Sequence, residues 1–496
     1  MTYSKKPEET LDPENWEELR ALGHKMLDDV INRQRDIARK AWPGLPPPQV
    51  IENICTPLSE NGEGEKEVYE IVNHNIQPYL GGNSSPRFWG AVGGTGSPYG
   101  MLASMLTAGI NTPLEEPPFA AGYTHNQVIK WIKEMLEYPK EAGGVLVSGG
   151  SEANFTALAV ARNARAEIDM KGKGMQGVSR KMTLYVSDGG HHCLERSVEL
   201  LGIGSDNLRW IESDDYFKIK IDSLKKAIKS DRDAGYHPFC VIGNAGTVDA
   251  GAFDNLNSLA DLAAKEKMWF HIDGAFGGWV KISKTHKHLA DGLERADSVA
   301  VDLHKWMYMP YGIGCTLVKD KLAHYSTFVY GHEAQYIKAS KVLTKESGEQ
   351  LAAPDNLALP LSREFRSLKA YMLLRAYGRG KYSRLIQQNI EQAKYLADLV
   401  SSDPEMELTA PVASNVVCFR FNPGGLNDDD LNTLNKTIAS GANKIKFWMI
   451  SDTNVKGRWS LRAAIVNHRS RREDFDYIYG LVKELGRKAL SDLKKK

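Results

Sequence analysis

The chain has 496 residues, 42% of them hydrophobic and 25% charged, and its 63 basic and 62 acidic residues leave a formal net charge of +1. That length exceeds one simple core and implies two or three domains. The balance argues against nucleic-acid binding, which needs a clustered basic excess; the one basic run, Lys494–Lys496, reads as a solvated end.

Five scattered cysteines (Cys55, Cys193, Cys240, Cys315, Cys418) show no CxxC spacing. They argue against a disulfide framework or a metal site and fit reduced thiols in a cytoplasmic protein. The N-terminal stretch has no apolar core of signal-peptide type. No segment reaches the roughly 18 uninterrupted apolar residues of a membrane helix, so no membrane association is expected.

In chain order, residues 12–42 read as one amphipathic helix entered at Asp12-Pro13, with Trp16, Leu19, Leu22, Met26, Val30 and Ile31 at three- and four-residue spacing. WPGLPPP at 42–48 ends it in a stiff connector. Residues 1–80 are therefore expected to be a helical arm that packs elsewhere. Short apolar strands then alternate with helices: strands at 144–150, 182–188, 238–246, 268–273, 298–306 and 314–320, helices at 151–165, 194–202 and 255–267. That alternation predicts a mostly parallel central sheet with helices on both faces over residues 81–379. Beyond a helix at 365–378 the texture becomes α+β, with a helix at 381–402, strands at 415–421 and 459–466, and a final helix at 472–489. Residues 380–496 are expected to form a small C-terminal domain.

In open α/β sheets ligands bind beyond the carboxyl ends of strands, and several chemistry-bearing residues fall there. Gly150 and Ser151 lie at a strand-to-helix turn, where free N–H groups suit a phosphate, although Ser151 also reads as an N-cap. Asp273 ends an apolar strand. A buried carboxylate needs a cationic partner such as a pyridinium nitrogen, although an aspartate opening a turn has the same pattern. Lys305 follows another strand; amid apolar neighbours its pKa should fall, suiting it to form a Schiff base, with a snorkelling surface lysine as the alternative. His304 beside it reads as a hydrogen bonder. His191 also follows a strand and suits ring stacking or proton transfer. Its neighbours His192 and Cys193 do not make a metal site, because consecutive residues do not converge on one ion.

The motifs GGSEAN, SDGGHH, NAGTVDAGAFD, HIDGAFGG and DLHKW, in that order, resemble those of the group II pyridoxal-phosphate (PLP)-dependent amino-acid decarboxylases. The similarity runs from PRFWG at Pro86 to LRAAIVNHR near the C-terminus. The resemblance implies the type I (aspartate-aminotransferase-like) fold, a homodimer, and the cofactor pyridoxal 5'-phosphate. It casts Lys305 as the Schiff-base lysine, Asp273 as the pyridinium partner and Ala275 as the small residue under the ring. His191 becomes the stacked, catalytic histidine, and Gly150 and Ser151 the phosphate cradle. Thr247 falls near the cofactor's 3-hydroxyl, His304 joins the cofactor-binding set, and Arg462 is placed for the substrate α-carboxylate, with a surface strand arginine as the alternative. Phe88, Trp89 and Tyr99 fall where the family builds its side-chain pocket, and Trp89 is taken as substrate-binding, with ordinary core aromatics as the alternative. Glu115 and Glu116 fall where a partner subunit contributes, and acid there disfavours acidic substrates.

Two positions depart from the family pattern. Asp302 stands where asparagine usually contacts the phosphate, and it is expected to take another role because a carboxylate repels phosphate. Pro354 aligns with a loop tyrosine that protonates the α-carbon, and no tyrosine occurs between Ile337 and Glu364. The stretch 338–356 has the polar, glycine-containing texture of a mobile loop, and Tyr330, Tyr336 and His191 are the candidates to replace the missing acid. The expected activity is decarboxylation of an L-amino acid, leaning aromatic, to amine and CO2. The alternatives are decarboxylation with oxidative deamination to an aldehyde, PLP-dependent carbon–carbon cleavage, or a non-catalytic scaffold.

Overall fold

Strand-forming runs of valine, isoleucine, leucine and phenylalanine build the centre of the molecule. The computed structural model describes residues 9–39, 44–113, 119–329, 353–445 and 449–493. Seven strands form the first sheet: β1 (Gly143–Val147), β2 (Met182–Ser187), β3 (Leu208–Ile211), β4 (His237–Asn244), β5 (Trp269–Asp273), β6 (Ser298–Asp302) and β7 (Gly314–Val318). Their order is β1-β7-β6-β5-β4-β2-β3. All neighbours are parallel except β7, which runs antiparallel to both β1 and β6. Every residue of β2, β5, β6 and β7 is buried, as a sheet covered by helices on both faces requires. The carboxyl ends of β1, β2, β4, β5 and β6 consequently share one edge.

The second sheet, β8 (Met406–Leu408), β9 (Val416–Phe421), β10 (Ser451–Val455) and β11 (Arg458–Ala464), is antiparallel in the order β10-β11-β9-β8. Phe419, Phe421 and Leu461 pack there against Leu434, Ile438, Phe475 and Ile478 of two helices. The predicted helices at 365–378 and 381–402 both form, as two segments of Arg366–Ser401 that meet at a kink at Gly378 (φ +66°, ψ +160°), a backbone region that glycine enters at little cost. Strands β3, β8 and β10 and the helices Pro98–Ile110, Ala120–Met135, Ile221–Asp233 and Asp428–Ile445 are absent from the sequence reading. The three strands are short; β10, with its alternating partly exposed residues, lacks a continuous apolar run.

Residues 1–82 and 83–496 form two compact units. In the first, the helix Trp16–Asp36 starts four residues later than Asp12, because the Asn15 side chain accepts hydrogen bonds from the Glu17 and Glu18 N–H groups. None of its residues is buried.

Candidate active site

The shared strand edge opens on a cavity of about 660 Å³ in the second unit. The turn after β1 contributes Ser148, Gly149, Gly150 and Ser151, and β5 with the turn after it contributes Asp273 and Ala275. Asp302, His304 and Lys305 come from the end of β6, His191 from beyond β2, and Arg462 from β11. The structure thus brings together Lys305, Asp273, His191, Gly150, Ser151, Ala275, His304 and Arg462.

The helix Gly150–Arg165 begins in the cavity wall. Its N-cap is Gly149 rather than Ser151, and no side chain caps it, so Ser151 stands in the first turn with its hydroxyl outside the cap. Close packing demands the glycines: a Cβ on Gly150 would lie 2.7 Å from Asp302 Oδ2, and one on Gly149 2.9 Å from His304 Cε1. Gly94 packs against the same His304 segment, where a Cβ would overlap the His304 carbonyl oxygen.

Asp302 is enclosed, its side chain 1% exposed, and its Oδ2 lies 2.9 Å from Lys305 Nζ. The pair reverses one expectation. Burial pulls the Lys305 amine down, but the Asp302 carboxylate, with smaller help from Asp273 and Cys193, pushes it up by more. The pKa of Lys305 is therefore raised, not lowered: the apolar neighbours count for less than one carboxylate at contact distance.

Asp273 is buried and accepts hydrogen bonds at Oδ1 from the Ala275 N–H (3.1 Å) and at Oδ2 from Asn154 Nδ2 (3.2 Å). His191 accepts the Cys193 N–H at Nδ1 (3.0 Å), which leaves its ring proton on Nε2. Burial, reinforced by His192 and Lys305 against the pull of Asp273 and Asp302, lowers its pKa and keeps the ring neutral. The buried His304 donates from Nδ1 to the Ile313 carbonyl (2.9 Å).

Three expected residues sit differently. Thr247 is buried beside the cavity and its Oγ1 accepts the Ala252 N–H (3.0 Å). Arg462 reaches the cavity, but its guanidinium donates to the Val248 and Asp249 carbonyls and to Ser451 Oγ. Trp89 does not line the cavity. It is 0% exposed in the core of the second sheet, stacked on Phe475 at 4.7 Å with its Nε1 donating to Ser470 Oγ (3.0 Å), so its role as a substrate contact is corrected to a packing role. Pro354 is buried in a short helical turn, Pro354–Asn356. Glu115, Glu116, Tyr330, Tyr336, most of the 338–356 stretch and Lys494–Lys496 lie outside the described residues.

Asn154 and Asn244, both in the cavity wall, escape the sequence reading. Asn154 lies three residues after Ser151 on one helix face, and that spacing is the signal that could have found it. Among the described residues no three His, Cys, Asp or Glu side chains converge to hold a metal.

These residues fit pyridoxal phosphate. An uncapped helix start flanked by glycines suits the phosphate, a cavity-facing lysine suits the aldehyde, and a doubly hydrogen-bonded carboxylate suits a protonated ring nitrogen.

A profile described as the pyridoxal-dependent decarboxylase conserved domain matches residues 47–422. The aromatic-L-amino-acid decarboxylase of Bacillus atrophaeus is 32% identical over 475 residues, 95% of each chain. The phenylacetaldehyde synthase of Arabidopsis thaliana is 29% identical, covering 92% of this chain and 93% of its own. The structure of Oryza sativa TDC with PLP and tryptamine superposes with a TM-score of 0.88 over 97% of this chain and 99% of that one, at 24% identity, and shares its fold. The extent of the domain match and the identity across nearly the whole chain mean that this protein belongs to the pyridoxal-dependent decarboxylase family.

Proposed function

We propose that the chain decarboxylates an aromatic L-amino acid to its amine and CO2. The observation that carries this reading is the convergence of Lys305, Asp273 and the glycine-flanked helix start on one cavity. Bound pyridoxal phosphate supplies an electron sink for the pair left behind when CO2 departs. In this proposal the Lys305 amine would hold the cofactor's aldehyde. Gly150, Ser151 and His304 would hold the phosphate, Ala275 and His191 would bind the ring, Thr247 would serve its hydroxyl, and Asp273 would hold its nitrogen protonated. Arg462 orients the α-carboxylate. His191, neutral with its proton on Nε2, carries a proton that can be delivered to the α-carbon.

Support for an aromatic substrate comes from the Bacillus relative and from the cavity wall. Glu152, Asp249 and Asp452 also line it, and they repel an acidic side chain. A second reading, oxidative conversion to the aldehyde, is favoured by Pro354, which offers no hydroxyl where the family's loop tyrosine aligns, and by the similarity to phenylacetaldehyde synthase. The proposal extends to a cytoplasmic homodimer. The helix Trp16–Asp36, whose Trp16, Leu19, Met26 and Ile31 are exposed, would be exchanged between subunits. Within each subunit, residues 1–80, 81–379 and 380–496 would act as arm, cofactor domain and small domain.

The decisive assay incubates cofactor-loaded protein with the common amino acids and DOPA, following CO2, amine, aldehyde and oxygen uptake together, with Lys305→Ala as blank. CO2 with equimolar amine from aromatic substrates is the expected result. Aldehyde with oxygen consumption would select the second reading, and no Lys305-dependent CO2 from any substrate would overturn both.

A further inference from the structure

Trp269, His271 and Asp273 alternate along β5, so their side chains share one face of the sheet. Asn154 approaches Asp273 on that face, and Ser298 of β6 is the register partner of His271. All five residues are at most 7% exposed, and hydrogen bonds join them without a gap. Trp269 Nε1 lies 2.8 Å from Ser298 Oγ, Ser298 Oγ 2.9 Å from His271 Nδ1, and His271 Nε2 2.8 Å from Asn154 Oδ1. Asn154 Nδ2 completes the chain at 3.2 Å from Asp273 Oδ2.

The direction of every bond follows from chemistry. An indole N–H only donates and a carboxylate only accepts, so Ser298 Oγ accepts from Trp269 while Asn154 turns its N–H₂ to Asp273 and its carbonyl oxygen to His271 Nε2, and His271 Nδ1 is left to accept the Ser298 proton. The ring proton then resides on Nε2 and is donated to the Asn154 carbonyl oxygen. Burial holds His271 at a pKa of about 4, so the ring stays neutral and the order is not reversed at neutral pH.

We propose that Asn154, His271, Ser298 and Trp269 are positioning residues: a one-way hydrogen-bond relay that fixes the Asp273 carboxylate, with a donor aimed at it, for the protonated ring nitrogen of the bound cofactor. The inference rests on the reading of Asp273 as that nitrogen's partner. Without Ser298 the imidazole is free to take its other tautomer, which presents a lone pair to Asn154. The amide then rotates and sets its oxygen against the carboxylate. Donors aimed at an anion stabilise it, and a buried chain of them is mutually polarised. The other ionisable groups around Asp273 are Lys305, Asp302, His191 and Cys193, and the substitutions below leave them in place.

The test loads wild type, Ser298→Ala, His271→Gln, His271→Leu and Asp273→Asn with cofactor isotopically labelled at the ring nitrogen. The nitrogen NMR shift is followed against pH, beside cofactor affinity and thermal melting. Asp273→Asn should abolish ring-nitrogen protonation. Ser298→Ala should lower its apparent pKa by about one unit and weaken cofactor binding severalfold. His271→Leu should lower it further, whereas His271→Gln, whose amide nitrogen can replace the Nε2 donor, should stay near wild type. If Asp273→Asn moves the signal but Ser298→Ala and His271→Leu do not, the relay is wrong. If Asp273→Asn leaves the signal unmoved, the reading of Asp273 itself fails. Should His271→Leu not fold, Ser298→Ala, which removes a single atom, decides.

Discussion

Lys305 and Asp302 show how one contact sets the chemistry of a lysine. Lys305 must be neutral to join its cofactor, yet Asp302 at 2.9 Å favours the ammonium and raises its pKa. The rate of cofactor uptake by the apoenzyme should therefore rise with pH until it passes that raised value. Asp302→Asn removes the favouring charge. The midpoint of the rise should then fall by about one unit or more, as expected for loss of an opposite charge at contact distance, so uptake at neutral pH becomes faster. Stopped-flow absorbance during reconstitution reads this directly, and an unmoved midpoint would show that Asp302 does not hold the lysine's proton. The motif DLHKW marked Lys305 in the sequence, because a strand followed by a polar cluster is a local pattern. The sign of its pKa shift was not legible there, since it depends on a side-chain distance.

The elements that carry the site are tied together by polar contacts as much as by apolar packing. Asn389, wholly buried in the helix Arg366–Ser401, accepts from Trp306 Nε1 (3.1 Å) and Tyr308 Oη (2.8 Å), on the segment just beyond Lys305. Its amide nitrogen donates to the Asn467 carbonyl (3.0 Å), which follows β11. One side chain thus links the first sheet, the long helix and the end of the second sheet. Asn389→Ala would strand two buried donors and a carbonyl, at a cost of about 3 kcal/mol. Urea unfolding should show a lower midpoint at unchanged slope; a midpoint within error of wild type would show that the cluster relaxes without it. The strands and helices of the site were readable because buried parallel strands are runs of apolar residues. The antiparallel setting of β7 was not, because a short strand's composition does not record its direction.

At the scale of the whole molecule, all five cysteines are free, and Cys55 alone is exposed. Burial pushes the Cys193 and Cys418 thiols up to about 12 and raises Cys240 and Cys315 as well. A thiol reagent should therefore titrate one cysteine rapidly in the native protein and all five in denaturant. Rapid reaction of a second thiol would show that the packing around the strands opens readily. The proposed homodimer belongs to this scale too: sedimentation should give twice 55.1 kDa. A monomer would remove the exposed face of the helix Trp16–Asp36 as an exchanged arm.

Much of the architecture, and most of the residues that meet at the cavity, could be read along the chain. Strand composition, helix periodicity and the order of GGSEAN, HIDGAFGG and DLHKW are local properties that survive projection onto one dimension. Trp89 was misread because its neighbours in sequence, Gly90 to Val92, line the cavity while its own side chain turns into the other core. Asn154, the protonation of Lys305 and the relay into Asp273 also stayed hidden. Each depends on two or more side chains that are far apart in the chain and a few ångströms apart in the fold, and hydrogen bonding and Coulomb interaction act through that short distance.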